Sequence, residues 1–121
     1  MAIRNYRDLI AWQKAMDLVG AVYDFIQHLP QSEAYGLGSQ LRRAAISVPV
    51  NIAEGQGRKT SREFRHFTRI AHGSVREIET EVLIAIRLGY ASKEASQNVM
   101  DLAIEVGRLL NGLLRALTAQ I

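Results

Sequence analysis

Apolar residues recur every three or four positions along nearly the whole chain, which is the period of α-helices and not of strands. Residues 7–29 form the first such run, and Pro30 ends it. The second run ends at Gly55 and Gly57, because glycine is typical of helix ends. The predicted core-facing rows of these two helices are Leu9, Trp12, Met16, Val19, Tyr23 and Ile26, then Leu37, Leu41, Ala44, Val48 and Ile52.

Two further helices follow with recognisable start signals. Thr60 or Ser61 is a suitable N-cap for the third helix, and Glu63 is placed to complete a capping box with Thr60. The third helix should end near Gly89, and Ser92 should start the fourth. Their predicted apolar rows are Phe64, Phe67, Ala71, Val75, Ile78, Val82 and Ala85, then Ala95, Val99, Leu102, Val106, Leu109, Leu113 and Leu117.

Four helices joined by short links predict an all-α fold, an antiparallel up-down four-helix bundle formed by one domain over residues 1–121. Short connections cannot return the chain to a parallel neighbour, so consecutive helices run in opposite directions. Pro49 lies inside the second helix, where it lacks a backbone donor and clashes with a carbonyl one turn earlier. We therefore expect the second helix to be kinked or broken near Pro49.

Two helices carry more apolar surface than a four-helix core requires. The first helix has a second apolar row beside the first, and Val82 to Ile86 of the third helix is apolar on all sides. A generous core with scattered exposed aliphatics is one explanation. A subunit interface is the other, and its predicted residues are Leu18, Phe25, Ile46, Val50, Leu83 and Ile84.

Composition limits the class of protein. The chain is 48% hydrophobic, which suffices for one core, and it has no cysteine for disulfides or thiolate metal ligands. The start MAIRNYRDLI has no signal-peptide segment, and no stretch approaches the length of a membrane span. We expect a cytoplasmic protein that is not bound to a membrane.

Positive charge is concentrated in the middle of the chain. The net charge is only +3, yet residues 42–76 hold eight basic residues and two acidic ones. Most of the arginines follow each other at spacings of three and four along the third helix, so they form one ridge opposite its apolar row. The ridge is either a solvated helix face or a phosphate-binding surface. Its predicted nucleic-acid-binding residues are Arg58, Lys59, Arg62, Arg65, Arg69 and Arg76.

Arginine suits bidentate phosphate contacts, and an oligomer would repeat the ridge. No aromatic or amide side chain lies on the ridge itself to contact bases. Binding should therefore be largely independent of nucleic-acid sequence.

The second helix also carries a polar row, which is either a solvated face or a contact with a ligand or subunit. Its predicted structural cluster is Arg43, Ser47, Asn51 and Glu54. With Arg58, this cluster should fix the corner between the second and third helices, or contact a neighbouring subunit.

Enzymatic interpretations find little support. Glu63 and His66 form one Glu-x-x-His motif of the kind that holds metals in helical bundles, but a second such motif is missing. GQGRKTS lacks the Gly-Lys pair and the preceding strand of a phosphate-binding loop. We predict no enzymatic activity, no catalytic residue, no metal and no cofactor.

Four segments carry a resemblance to a known family, and in chain order they are AWQKAMDLVGAVY, YGLGSQ, RRAAISVPVNIAEGQGR and REF..F..IAHGSVREIET. Through these segments the chain resembles a bacterial family of four-helix-bundle proteins. Reading frames of this family lie inside intervening sequences of large-subunit ribosomal RNA genes. The matching positions are Arg43, Ser47, Pro49, Asn51, Glu54, Gly55, Gly57, Arg58, Phe64, Gly73, Ser74 and Glu77. The resemblance implies a ring of five subunits. It also implies relatives that assist reverse transcriptases of diversity-generating retroelements, where basic rings contact nucleic acid.

The sequence and the resemblance together predict a non-enzymatic oligomeric bundle that binds nucleic acid or assists a reverse transcriptase. The predicted partners are the chain itself, in a cyclic homo-oligomer of five copies, together with RNA or DNA and a reverse transcriptase. The alternative is a homo-oligomeric protein-interaction scaffold with no nucleic-acid role.

Overall fold

The computed structural model describes residues 5–121, which form four long helices and no strand. The helices are α1 (Ile10–Ile26), α2 (Leu37–Gln56), α3 (Ser61–Arg87) and α4 (Lys93–Ala119). Single 3₁₀ turns precede α1 and α2. Each helix packs against the next and α4 packs against α1, so the helices close into the predicted four-helix bundle. Residues 1–4 of the predicted domain lie outside the described residues.

Local capping explains where α3 and α4 begin and where α3 ends. The Thr60 hydroxyl accepts a hydrogen bond from the Glu63 backbone N–H at 3.1 Å, and the Ser92 hydroxyl accepts one from the Ala95 N–H at 3.1 Å. α3 ends at Arg87, and the chain turns away at Gly89, whose φ of 77° is a left-handed conformation that glycine adopts without strain. The predicted helix starts and this helix end are thus confirmed.

The core follows the predicted rows of α2 and α3 but differs in α1. Met16 and Tyr23, predicted to face the core, are 47% and 40% exposed. Leu18 and Phe25, predicted at a subunit interface, are 0% and 2% exposed inside the chain, so their assignment to the interface is wrong. The buried row of α1 includes three alanines that let the neighbouring helices approach closely. Its residues are Ala11, Ala15, Leu18, Ala21, Val22 and Phe25.

α2 continues through Pro49 and is not broken there. Pro49 itself is buried, so packing holds the helix on both sides of the missing donor. A side-chain hydrogen bond spans the proline, because the Asn51 Nδ2 donates to the Ser47 carbonyl oxygen at 2.8 Å.

One end of the bundle is fastened by the side chain of Glu33. Its Oε1 accepts a hydrogen bond from the Leu37 N–H at 3.0 Å, and its Oε2 accepts one from the Tyr90 hydroxyl at 3.0 Å. The hydrogen bond to Glu33 raises the pKa of the Tyr90 phenol above its usual value. This carboxylate therefore joins the α1–α2 link to the α3–α4 link.

Candidate nucleic-acid interface

The basic ridge of α3 lies opposite the buried face of that helix, as predicted. Arg62, Arg69 and Arg76 are exposed and Arg65 is half-buried, whereas Ala71, Val75 and Ile78 are 0–2% exposed on the other side. Arg58 and Lys59 precede α3 in the turn after α2, and both are exposed. The ridge therefore extends from the α2–α3 corner along α3.

Few carboxylates of the chain neutralise this ridge. Arg58 pairs with Glu54 at 3.3 Å and Arg76 pairs with Glu79 at 3.9 Å, and both pairs lie at the surface. Exposed pairs of this kind contribute about 0 to 1 kcal/mol and exchange readily for other anions. Within residues 5–121, no ion pair involves Lys59, Arg62, Arg65 or Arg69. Four consecutive basic side chains of the ridge are thus available to an external anion.

The corner between α2 and α3 brings an aromatic ring to the start of the ridge. The Arg58 guanidinium carbon lies over the Phe67 ring, 4.8 Å from its centroid. The sequence predicts a ridge without aromatic side chains, and at this corner that prediction is wrong. Arg58 precedes the helix, so its side chain can reach round to Phe67 at the edge of the apolar face.

Gly55 makes this close corner possible. A Cβ atom at Gly55 would lie 2.8 Å from Cδ1 of Phe64 and 2.8 Å from Cβ of Phe67. Real Cβ atoms do not tolerate such contacts, so only glycine permits α2 to approach α3 here. The sequence predicts a helix end at Gly55 and Gly57. Gly57 is the C-cap of α2, whereas Gly55 lies inside the last turn and has a packing role.

The predicted polar cluster of α2 divides into two groups. The Asn51 Nδ2 donates to the Ser47 Oγ at 2.9 Å, and the Ser74 Oγ of α3 donates to the same oxygen at 2.8 Å. Glu54 belongs instead to the corner, where it pairs with Arg58. Hydrogen bonds between half-buried groups contribute about 1 kcal/mol each. The Asn51–Ser47–Ser74 group therefore helps to join α2 to α3.

Arg43 lines a groove between these two helices. The groove has a volume of about 460 Å³, and Glu77 of α3 lies on its other side. Arg43 and Glu77 are both exposed and form no ion pair within residues 5–121. The lining residues are Gln40, Arg43, Ala44, Ser47, Ser74 and Glu77.

Glu81, one turn beyond Glu77, is a buried carboxyl that the sequence analysis missed. Glu81 is only 7% exposed, and its Oε1 has no hydrogen-bond partner among the described residues. Burial, and secondarily the charge of Glu77, raises its pKa from 4.5 to about 7. The sequence position of Glu81 could have indicated this burial. Glu81 lies seven residues after Ser74 and beside Val82, which places it on the face of α3 towards α2.

A comparison with protein families identifies the chain over most of its length. Residues 7–112 match the family described as 23S rRNA-intervening sequence protein. The chain belongs to this family. No curated protein matches the chain. The family match agrees with the resemblance carried by the Ser-x-Pro-x-Asn-Ile-Ala-Glu-Gly segment.

Most of the residues that carry the resemblance lie along the seam between α2 and α3. Four of them, Arg43, Ser47, Ser74 and Glu77, line the groove. The remaining corner residues surround the close approach at Gly55. The seam is therefore the part of the bundle that the family's signature segment builds.

Four of the six predicted interface residues are exposed in the family member described here. Ile46 and Val50 of α2 are 45% and 51% exposed, and Leu83 and Ile84 of α3 are 55% and 42% exposed. These two pairs lie on different helices, so they present two distinct apolar surfaces. Isolated exposed aliphatics are common, but Ile46 and Val50 lie one turn apart on one face of α2, and Leu83 and Ile84 are neighbours in sequence on α3, so both pairs are candidates for contact with another molecule.

Glu63 and His66, the one metal-binding motif of the sequence, are both exposed on α3. Among residues 5–121, no three side chains of the metal-binding types lie close enough together to hold a metal ion. The same part of the chain contains no helix that is long and apolar enough to cross a membrane.

Proposed function

We propose that this protein is a non-enzymatic, oligomeric nucleic-acid-binding module, and that the ridge of α3 is its phosphate-binding surface. The observation that carries the proposal is the run of four basic side chains without an ion pair in residues 5–121, on one continuous helix-and-turn surface. Surface arginines bind phosphate oxygens in pairs of parallel hydrogen bonds, and their affinity rises when several act together.

Charge reversal on the ridge tests this function. The double substitution Arg62→Glu and Arg69→Glu removes two phosphate contacts, because both side chains are exposed and neither has an ion pair in the described chain. For duplex DNA, log K falls with log[salt] at a slope of about −0.9 per neutralised phosphate, so the slope should become shallower by about 1.8. Fluorescence anisotropy titrations between low and moderate salt measure this slope for the wild type and the double variant.

The matched control is Lys93→Glu with Arg108→Glu on α4, which changes the net charge equally but lies off the ridge. Both control side chains are exposed. If both double variants lowered affinity and slope alike, the net charge of the protein would account for binding and the ridge would have no specific role. Absence of any binding to DNA or RNA at low salt would leave the alternative of a homo-oligomeric protein-interaction scaffold with no nucleic-acid role.

Assembly is the second part of the proposal. In a ring, the interface is heterologous, so two different surfaces of the same chain meet. The pairs Ile46/Val50 and Leu83/Ile84 supply two such surfaces, and the resemblance implies five subunits. A ring would repeat the ridge, so that weak phosphate contacts add through effective concentration.

The variant Ile46→Glu with Val50→Glu is expected to reduce the assembly to a monomer without unfolding it, because both side chains are about half exposed in the single chain. Light scattering on a sizing column at tens of micromolar gives the mass. Ile104→Glu, at a 41% exposed aliphatic of α4, is the control and should leave the mass unchanged. A wild-type mass equal to one chain would contradict the proposed ring.

A further inference from the structure

A pocket of about 310 Å³ opens at the corner end of the ridge. It is bounded by charged groups and by one aromatic ring, and its lining residues are Arg58, Arg62, Glu63, His66 and Phe67. Its volume is at the lower limit of sites that hold small ligands, so it fits one small planar group and not a large molecule.

The pocket holds a cation–π pair of Arg58 and Phe67, here called the Arg58–Phe67 stack, that simple phosphate binding does not require. Arg58 covers the Phe67 ring at 4.8 Å, and His66 meets the same ring edge-on at 5.5 Å between centroids. Unpaired nucleic-acid bases stack on aromatic rings and on the flat face of arginine guanidinium groups. The Arg58–Phe67 stack therefore offers a planar surface to a base.

The remaining lining groups match the other parts of a nucleotide. Arg62 is exposed and has no ion pair within residues 5–121, so it can bind the phosphate. Glu63 is an acceptor for the amino group of a base, whereas it would repel a phosphate placed at the same point. A site for phosphate alone would gain nothing from Glu63 or Phe67.

We propose that this pocket holds one unpaired nucleotide of RNA or DNA, with its base on the Arg58–Phe67 stack and its phosphate on Arg62. The proposal rests on the proposed function, because the ridge must first bring the phosphate backbone to α3. Bases inside a duplex are stacked on each other and cannot enter the pocket. The pocket therefore gives the protein a preference for single-stranded segments that the ridge alone would lack.

The test compares ligands that differ only in their bases. An unstructured single-stranded DNA of 12 nucleotides is titrated beside a DNA of the same length in which stable abasic units replace all bases. RNA of the same sequence and a DNA duplex complete the set. Wild-type protein should bind the abasic strand on the order of tenfold more weakly than the normal strand, since each stacked base contributes about this factor. The RNA arm shows which backbone the pocket accepts better.

Protein variants then assign the difference to Phe67. Phe67→Leu keeps an apolar side chain but removes the ring, so it should bind the normal and abasic strands equally, with duplex affinity unchanged within about twofold. Phe67→Tyr keeps the ring and should restore the tenfold preference. Thermal unfolding of each variant is recorded at the same time, because Phe67 also packs against the α2–α3 corner.

The outcomes separate this proposal from the proposed function. Equal binding of normal and abasic strands by the wild type would overturn the nucleotide pocket while leaving the ridge as a phosphate surface, and this comparison holds even if Phe67→Leu fails to fold. A parallel loss of normal, abasic and duplex binding in Phe67→Leu would show a purely structural role and would also overturn it. If the wild type bound none of the four ligands, the proposed function and the pocket would fail together.

Discussion

Replacing Glu81 with glutamine is expected to stabilise the protein by about 1 to 3 kcal/mol at pH 8 and to leave its stability unchanged near pH 4. Glu81 is buried and its Oε1 has no partner among the described residues, so its ionised form is disfavoured in the folded chain. Glutamine has nearly the same shape and never ionises.

The direction of the pH dependence follows from the raised pKa. Between pH 4.5 and about pH 7, the folded protein keeps the proton of Glu81 while the unfolded chain releases it. The native state therefore binds more protons, and the free energy of unfolding falls as pH rises through this window. A shift from 4.5 to about 7 corresponds to at most about 3 kcal/mol once both states are ionised, and solvent screening reduces this value.

Urea denaturation at pH 4, 6 and 8 measures the effect, provided that the assembly state is the same in both proteins. Glu77→Gln serves as a comparison, because it removes only the second cause of the raised pKa and should give a smaller gain at pH 8. A gain from Glu81→Gln that was equal at pH 4 and pH 8 would show that ionisation is not its source.

Replacing Gly55 with valine is expected to cost about 3 kcal/mol and to open the α2–α3 corner. The new Cβ would meet Cβ of Phe67 at 2.8 Å and the backbone oxygen of Phe64 at 3.2 Å. Neither atom can turn away as the end of a flexible side chain could, so the helices must separate. Overpacking of this kind costs about 1 to 3 kcal/mol, and the γ-methyl groups of valine place it at the upper end.

Gly20→Val on α1 is the matched control, because a Cβ there meets no atom within 4 Å. It should change the free energy of unfolding by less than about 0.5 kcal/mol, since valine is a somewhat better helix former than glycine. Thermal and urea unfolding of both variants provide the comparison. Similar losses at the two glycines would indicate that helix backbone effects, and not the close approach at Gly55, determine the cost.

The helix pattern of this fold is predictable because local signals agree with each other. The caps at Thr60 and Ser92 and the stop at Gly89 each depend on a few neighbouring residues, and the structure has all three. The facing of α1 was less predictable. Both of its rows are apolar, and periodicity cannot decide which one meets the other helices when small alanines, and not the largest side chains, line the contact.

The site residues that were missed depend on contacts between helices. Phe67 joins the ridge only because Arg58 folds back over its ring from the turn, and a helical projection of α3 does not include that turn. Glu81 is charged, so its type suggested a solvated position, but the seam with α2 covers it. Pro49 suggested a kink or a break, and α2 is continuous through it because tertiary packing overrides the local preference.

The hydrogen bond between Tyr90 and Glu33 joins residues that are 57 positions apart in the sequence. Neither the α1–α2 hairpin nor the α3–α4 hairpin can form this bond alone, since each contributes one partner. The cap hydrogen bonds at Thr60 and Ser92 form within single helices, so they do not depend on contact between the two hairpins. The hydrogen-bonded state of the Tyr90 phenol therefore reports whether the two halves of the bundle have docked.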